Sequence, residues 1–242
     1  NGHDGTVNGA VPATDRFDLA DRAFDLDGIN DSIDIGNDAA LSLTTFTVST
    51  WFKWESNHPG DLYRTVISKG NVGYGYRQNF MIQVDDASHT LNARVGDGVS
   101  STNLFSGVDV SDGDWHHAVL SYDSSAGTGE LFVDGVSKAA KTGLPTAYTD
   151  AAAPVTIGVW AIPQTYGEWD GPLDEVRIYN RSLNGTEVAL LHEAETNIPP
   201  TLDAPSDLVI EEDSPEQTVS LTGITAGGSE SQPLRITAFS SA

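Results

Sequence analysis

The sequence predicts an all-β protein: an antiparallel sandwich with one short helix after its last strand, followed by the start of a second β domain. Three observations predict it. Apolar and polar residues alternate with the period of two that a half-buried strand requires, in one segment after another. Turns rich in Gly, Asp, Asn and Ser separate these segments at intervals too short for the crossover helices of a parallel sheet. Only one segment, near residue 190, carries both helical spacing and a helix start signal.

The elements follow in order. Residues 46–54 place Phe46, Val48, Phe52 and Trp54 on one strand face. Residues 79–84 run into the turn Asp85-Asp86-Ala87-Ser88, and residues 90–95 read as the hairpin partner. Residues 115–122 set His116, Ala118 and Leu120 against His117, Val119 and Ser121, so the adjacent histidines face opposite sides and cannot share one metal. Glu130-Leu131-Phe132-Val133 ends at Asp134-Gly135, a strong two-residue hairpin signal, and Val136-Ser137-Lys138 returns. Residues 155–159 and 173–179 are two further strands. Large strand tryptophans such as Trp51 and Trp115 are expected in the core.

The helix is expected over residues 186–195. Asn184 caps it, Glu187 stands three residues later as in a capping box, and Val188, Leu191 and Ala194 share a face. Asn197-Ile198-Pro199-Pro200 then forms a stiff, extended joint, because each proline also biases its predecessor away from helix. Strands are expected at 207–210, 218–221 and 234–239. The organisation predicted is therefore a sandwich over 1–196 and a linker with an incomplete β segment over 197–242.

The charge balance narrows the function. Thirty-five acidic residues against twelve basic ones give a formal net charge of −23. Such a surface repels phosphate backbones and anionic lipid heads, so neither nucleic acid nor membrane is an expected partner. It favours divalent cations, and the many aspartates offer the short, hard oxygen ligands calcium takes. The absence of cysteine excludes a disulfide scaffold and thiol chemistry.

Several segments carry a resemblance. Phe24-Asp25-Leu26-Asp27-Gly28 through Ile35, Phe46-Thr47-Val48-Ser49-Thr50-Trp51-Phe52-Lys53, Asp114-Trp115-His116-His117-Ala118, Leu131-Phe132-Val133-Asp134-Gly135, and Gly171-Pro172-Leu173-Asp174-Glu175-Val176-Arg177-Ile178-Tyr179-Asn180-Arg181 resemble, in order, the motifs of LamG-like jelly-roll domains of the concanavalin A-like lectin/glucanase superfamily. The resemblance implies a jelly-roll sandwich and a lectin-like module of a larger secreted or cell-surface protein. The stretch after Pro200 resembles the start of bacterial Ig-like or cadherin-like repeats. Related domains often hold a structural calcium near the first motif and the last long strand. By that resemblance Asp27, Asn30 and Asp174 are the expected ligands.

Three chemistries can be weighed. Calcium at those residues competes with Asx-turns that satisfy the same side chains locally. A saccharide site needs an exposed aromatic to stack on and planar polar groups around it. Two loops supply both, so Tyr74, Tyr76, Gln78, Trp160, Tyr166 and Trp169 are the expected ligand-binding residues, with loop packing as the alternative for each aromatic. Catalysis finds no support: glucanases of this fold place carboxylates two or four residues apart on one strand face, no E-x-D-x-E run of that kind occurs here, and Asp174 and Glu175 are adjacent and so face opposite sides. The expected function is non-catalytic recognition of a polysaccharide or glycoprotein, with adhesion as its context. The alternative is a calcium-stiffened spacer or assembly subunit that meets neighbouring β domains of the same protein or filament.

Overall fold

The computed structural model describes residues 3–55, 63–70, 77–160, 167–196 and 222. The chain divides into two compact units, Asn1–His192 and Glu193–Ala242. The expected Ig-like or cadherin-like strands after Pro200 lie outside the described residues.

The first unit is a sandwich of two seven-stranded antiparallel sheets. In chain order the strands are β1 (Thr6–Asn8), β2 (Val11–Ala13), β3 (Ala23–Asp27), β4 (Ser32–Gly36), β5 (Phe46–Phe52), β6 (Tyr63–Gly70), β7 (Gln78–Asp85), β8 (Thr90–Gly96), β9 (Ser101–Asp109), β10 (His116–Asp123), β11 (Thr128–Val133), β12 (Val136–Thr142), β13 (Val155–Ile157) and β14 (Asp170–Tyr179). One sheet has the order β1-β4-β13-β6-β7-β8-β9, the other β12-β11-β10-β5-β14-β3-β2. This is the sandwich expected of a jelly roll, with one α-helix, α1 (Gly185–Thr196), after the last strand.

Alternation decides which face each strand buries. Phe46, Val48, Phe52 and Trp54 enter the main core, as do Ala118, Leu120 and Tyr122 from β10. From the facing sheet come Phe80, Ile82 and Val84 of β7 and Leu91, Ala93 and Val95 of β8. Phe46 is the hub, with its ring 5.3 Å from both Phe80 and Tyr122. Each such side chain, fully buried, contributes roughly 1.5–3 kcal/mol of hydrophobic stabilisation.

The local signals of the sequence are realised. Asp134 and Gly135 take φ values of 52° and 73°, the left-handed pair that a two-residue hairpin of this hand needs. Gly135 is also required for space, since a Cβ there would lie 3.1 Å from the His192 ring. At the start of α1, the Glu187 backbone N–H donates to Asn184 Oδ1 (3.0 Å), and the Asn184 N–H donates to Glu187 Oε2 (2.9 Å). That reciprocal pair is a complete capping box.

The opposite face of β5 is covered as well. Thr47 Oγ1 donates to Arg181 O and accepts from Leu183 N–H, both at 2.9 Å, while Ser121 Oγ donates to Leu183 O. These bonds fasten the segment after β14 across the outside of the sheet. They deliver Val188 of α1 to a second apolar cluster with Val119, Phe132 and Leu183.

Candidate functional site

The two outward faces of the sandwich differ in what they present. On the β1–β9 sheet, the inward set Leu91, Ala93 and Val95 leaves Asn92 and Arg94 pointing outward from β8. Register then assembles a patch across three strands. Gln83 stands opposite Asn92, Asn92 opposite Phe105, and Arg94 opposite Asn103. Gln83 Nε2 donates to Asn92 Oδ1 at 2.8 Å, and Arg94 Nε donates to Asn103 Oδ1 at 2.8 Å. The patch grades from buried to open. Gln83 and Asn92 are buried, Arg94 and Asn103 are half-buried, and Phe105 on the edge strand β9 is 61% exposed.

Two electrostatic features mark this patch. Asn92 Nδ2 is buried and meets no acceptor among the described residues. A buried unsatisfied donor costs on the order of 1–3 kcal/mol, so its retention calls for an explanation. Burial also lowers the pKa of the Arg94 guanidinium, opposed by the Tyr63 phenol. No carboxylate among the described residues forms an ion pair with Arg94, in a chain with almost three acidic residues for every basic one.

The other sheet's outward face is closed. Trp51 points away from the main core, yet it is buried because the His117 and His192 rings stack beside it at 5.0 and 5.4 Å and the Arg16 guanidinium lies 5.0 Å from its ring. The core position expected for Trp51 is thus replaced by an outer one under α1, and Trp115 is only half-buried. His116 takes the inward side, 5.9 Å from Phe52, with its nitrogens 2.9 Å from Asp134 Oδ2 and 3.0 Å from Asp112 Oδ1. Burial opposes its charge, but these two carboxylates outweigh burial and raise its pKa. His117 goes the other way: burial first, then neighbouring His192, push it down to about 3.

Comparison with known proteins places this architecture. Residues 27–189 match the Laminin_G_3 family, described as the Concanavalin A-like lectin/glucanases superfamily. The chain belongs to that superfamily. No curated protein matches the sequence. Among solved structures, this superfamily member is similar to domain 4 of AbnA, an extracellular arabinanase of Geobacillus stearothermophilus, in complex with arabinotriose: 23% identity, TM-score 0.58, covering 78% of this chain and 87% of that one. It is also similar to the binding domain of Paraclostridial Mosquitocidal Protein 1, at 18% identity and TM-score 0.63, covering 80% of this chain and 47% of that one. A third similar structure is the ligand-binding domain of botulinum neurotoxin serotype D in complex with N-acetylneuraminic acid, at 14% identity and TM-score 0.62, covering 81% and 48%. The match thus spans about half of each toxin domain. At these identities the likeness is one of fold.

Within this concanavalin A-like sandwich, the three residues expected to hold calcium do not converge. Asp170 stands opposite Asp27 and Leu173 opposite Phe24, so Asp174 lies four residues, roughly 13 Å, along β14 from the position facing Asp27. Asp27 Oδ1 accepts from the backbone N–H groups of Ile29 (2.9 Å) and Asn30 (3.3 Å), the local turn that competes with metal binding. Asn30 is exposed. Asp174 forms an ion pair with Arg16 and accepts from Glu175 N–H at 2.8 Å. Among the described residues, no three His, Asp or Glu side chains are grouped to hold a metal. If Asp27, Asn30 and Asp174 nonetheless held one structural ion together, chelator would lower the melting temperature by several degrees. Differential scanning fluorimetry with EDTA and with millimolar calcium checks this.

Of the six residues expected to bind saccharide, three lie among the described residues. Tyr74, Tyr76 and Tyr166 lie outside the described residues. Trp160 is half-buried, while Gln78 is buried at the start of β7 opposite Gly70. Trp169 is corrected outright. It is fully buried in the main core, edge-on to Phe52 at 5.5 Å, because its N–H is tied to Gly158 O (2.8 Å) and β14 carries it inward. The described ends of the two loops also meet β6 at different points. The first departs at Gly70; the second is tied by Gly158 N–H to Val66 O and by Thr65 N–H to Gly167 O. Those points are four residues, roughly 13 Å, apart. The residues that do come together, Gln83, Asn92, Arg94, Asn103 and Phe105, were not singled out in sequence. Their one legible signal was the alternation of residues 91–95, which sets Asn92 and Arg94 on a single face.

Proposed function

We propose that the chain is a non-catalytic binding module of a secreted or cell-surface protein, holding a polysaccharide or the glycan of a glycoprotein against the open face of the β1–β9 sheet, with adhesion as its context. The observation that carries this reading is the exposed Phe105 ring beside the hydrogen-bonded Arg94–Asn103 pair. An exposed aromatic offers the apolar face on which a pyranose stacks, and planar amide and guanidinium groups offer the in-plane hydrogen bonds that select among hydroxyls. Gln83, Asn92, Arg94, Asn103 and Phe105 carry no carboxylate, hydroxyl or thiol, so none of the five is a nucleophile or a general acid at neutral pH. The arabinotriose and N-acetylneuraminic acid complexes of similar domains support a saccharide partner.

A glycan array probed with the full chain tests the reading. Phe105→Ala is expected to weaken any hit about tenfold, the scale of one lost aromatic stacking contact, with the melting temperature unchanged. No hit on the array, or a hit indifferent to Phe105, overturns it. A spacer would bind no glycan and would associate through sheet edges instead. The edge strand β12 argues against that use, since its exposed surface carries Lys138 and Lys141, the kind of charge that blocks strand addition.

A further inference from the structure

We propose that the saccharide bound at the β8–β9 face is an acidic one, whose carboxylate or sulfate group is anchored by Arg94. The inference rests on the saccharide reading above and adds the charge class of the ligand.

The hydrogen-bond inventory of the patch points there. Asn92 Oδ1 is taken by Gln83, and Asn103 Oδ1 is taken by Arg94 Nε. Each of these amide oxygens thus already accepts one hydrogen bond. The charged donors left over are the Nη groups of Arg94, whose Nε alone carries a hydrogen bond among the described residues. A neutral sugar hydroxyl both donates and accepts. A carboxylate or sulfate oxygen only accepts, and a guanidinium meets it with two parallel N–H groups.

Charge points the same way. Arg94 is half-buried, so part of its hydration is already lost, and no carboxylate offsets that loss. The other well-buried arginines are paired: Arg16 with Asp174, and Arg64 with Asp86 at 3.5 Å and with the Glu168 carbonyl at 3.0 Å. In a chain of net charge −23, a partly desolvated arginine left without a carboxylate is an exception. A bound acid group removes it. Phe105, directly across from Asn92, supplies the apolar surface for the ring that carries the acid.

The test compares a galacturonate tetrasaccharide with its fully methyl-esterified form, and a sulfated galactan tetrasaccharide with its desulfated form, by calorimetry on the full chain. At least one acidic oligosaccharide is expected to bind about tenfold or more tightly than its neutral counterpart, the scale of one charge-assisted contact. The pair showing the preference identifies carboxylate or sulfate as the group. Arg94→Gln is expected to erase the preference by weakening the acidic form well beyond any loss for the neutral one, with the melting temperature in place, and Arg94→Lys to restore part of it. Equal affinity for acidic and neutral forms, or equal weakening of both by Arg94→Gln, overturns the acidic assignment. Neutral binding that still depends on Phe105 would leave the saccharide reading standing while this inference falls. Loss of all binding in the wild-type chain would sink both.

Discussion

Replacing Trp169 with alanine is expected to destabilise the sandwich by about 3–5 kcal/mol, the usual cost of truncating a buried tryptophan. The indole is fully buried and meets Phe52 edge-on at 5.5 Å, next to the β5 strand that runs through the centre of its sheet. Removing it leaves a cavity that the strands on either side, pinned by their hydrogen bonds, cannot collapse to fill. Against a total stability of about 5–15 kcal/mol, that loss brings the domain close to unfolding. A drop in melting temperature of roughly 10 °C is expected for a domain of this size. Trp169→Phe keeps most of the apolar contact and is expected to cost less. Its indole N–H has no acceptor among the described residues, so no hydrogen bond is lost with it. Urea and thermal melts measure both variants. A Trp169→Ala protein as stable as the parent would show the indole to be peripheral. The exposed Phe105→Ala is the control, expected within about 0.5 kcal/mol of the parent.

Acid is expected to destabilise the sandwich through His117. Its folded pKa lies at about 3, against an ordinary value of 6.5, because burial between Trp51 and His192 disfavours the imidazolium. A histidine lowered in the folded state contributes stability that is complete above about pH 6.5. As pH falls below 6.5 the unfolded chain binds a proton the folded one refuses, so stability declines until about pH 3. Between pH 7.5 and 4.5 the loss from His117 alone is roughly 2–3 kcal/mol. His192 is also lowered by burial and acts with the same sign. His116 acts with the opposite sign. The Asp134 and Asp112 contacts outweigh burial and raise it, so its contribution is present below 6.5 and fades as pH rises through its folded value. Urea denaturation of the parent and of His117→Gln at both pH values separates these effects. The pH-induced loss is expected to shrink by about 2–3 kcal/mol in the variant, although the variant starts less stable because it lacks the ring stack and the 2.8 Å contact with Ser49. An identical acid response in the two proteins would remove His117 as the cause.

The sandwich itself was readable from short-range pattern. The alternation in residues 46–54 grouped Phe46, Val48, Phe52 and Trp54 on one face, and the core holds all four, while residues 79–84, 90–95 and 115–122 read as strands and are strands. The capping box at Asn184 and Glu187 and the Asp134-Gly135 hairpin are local devices, with donors, acceptors and backbone angles all within a few residues. Strands β6 and β9 were missed for physical reasons. Residues 63–70 hide their core face behind Arg64, Thr65, Ser68 and Lys69, polar side chains that are buried only because β7 and β13 flank them. Residues 101–109 form an edge strand that buries little apolar surface, so its alternation is faint.

By itself the sequence determined the secondary structure of the strongest elements, the antiparallel class, the family motifs and the acidic surface, because each depends on neighbours along the chain or on composition alone. Only the tertiary structure decided which aromatic is accessible and which polar groups meet. Trp51 alternates outward and is nonetheless buried, because a helix 134 or more residues later in the chain folds back over it. Trp169 reads as a loop aromatic but is core, because β14 carries it beneath Phe52. Gln83, Asn92, Arg94, Asn103 and Phe105 form one surface through the register of three strands, and a shift of one residue would turn each of them to the other face.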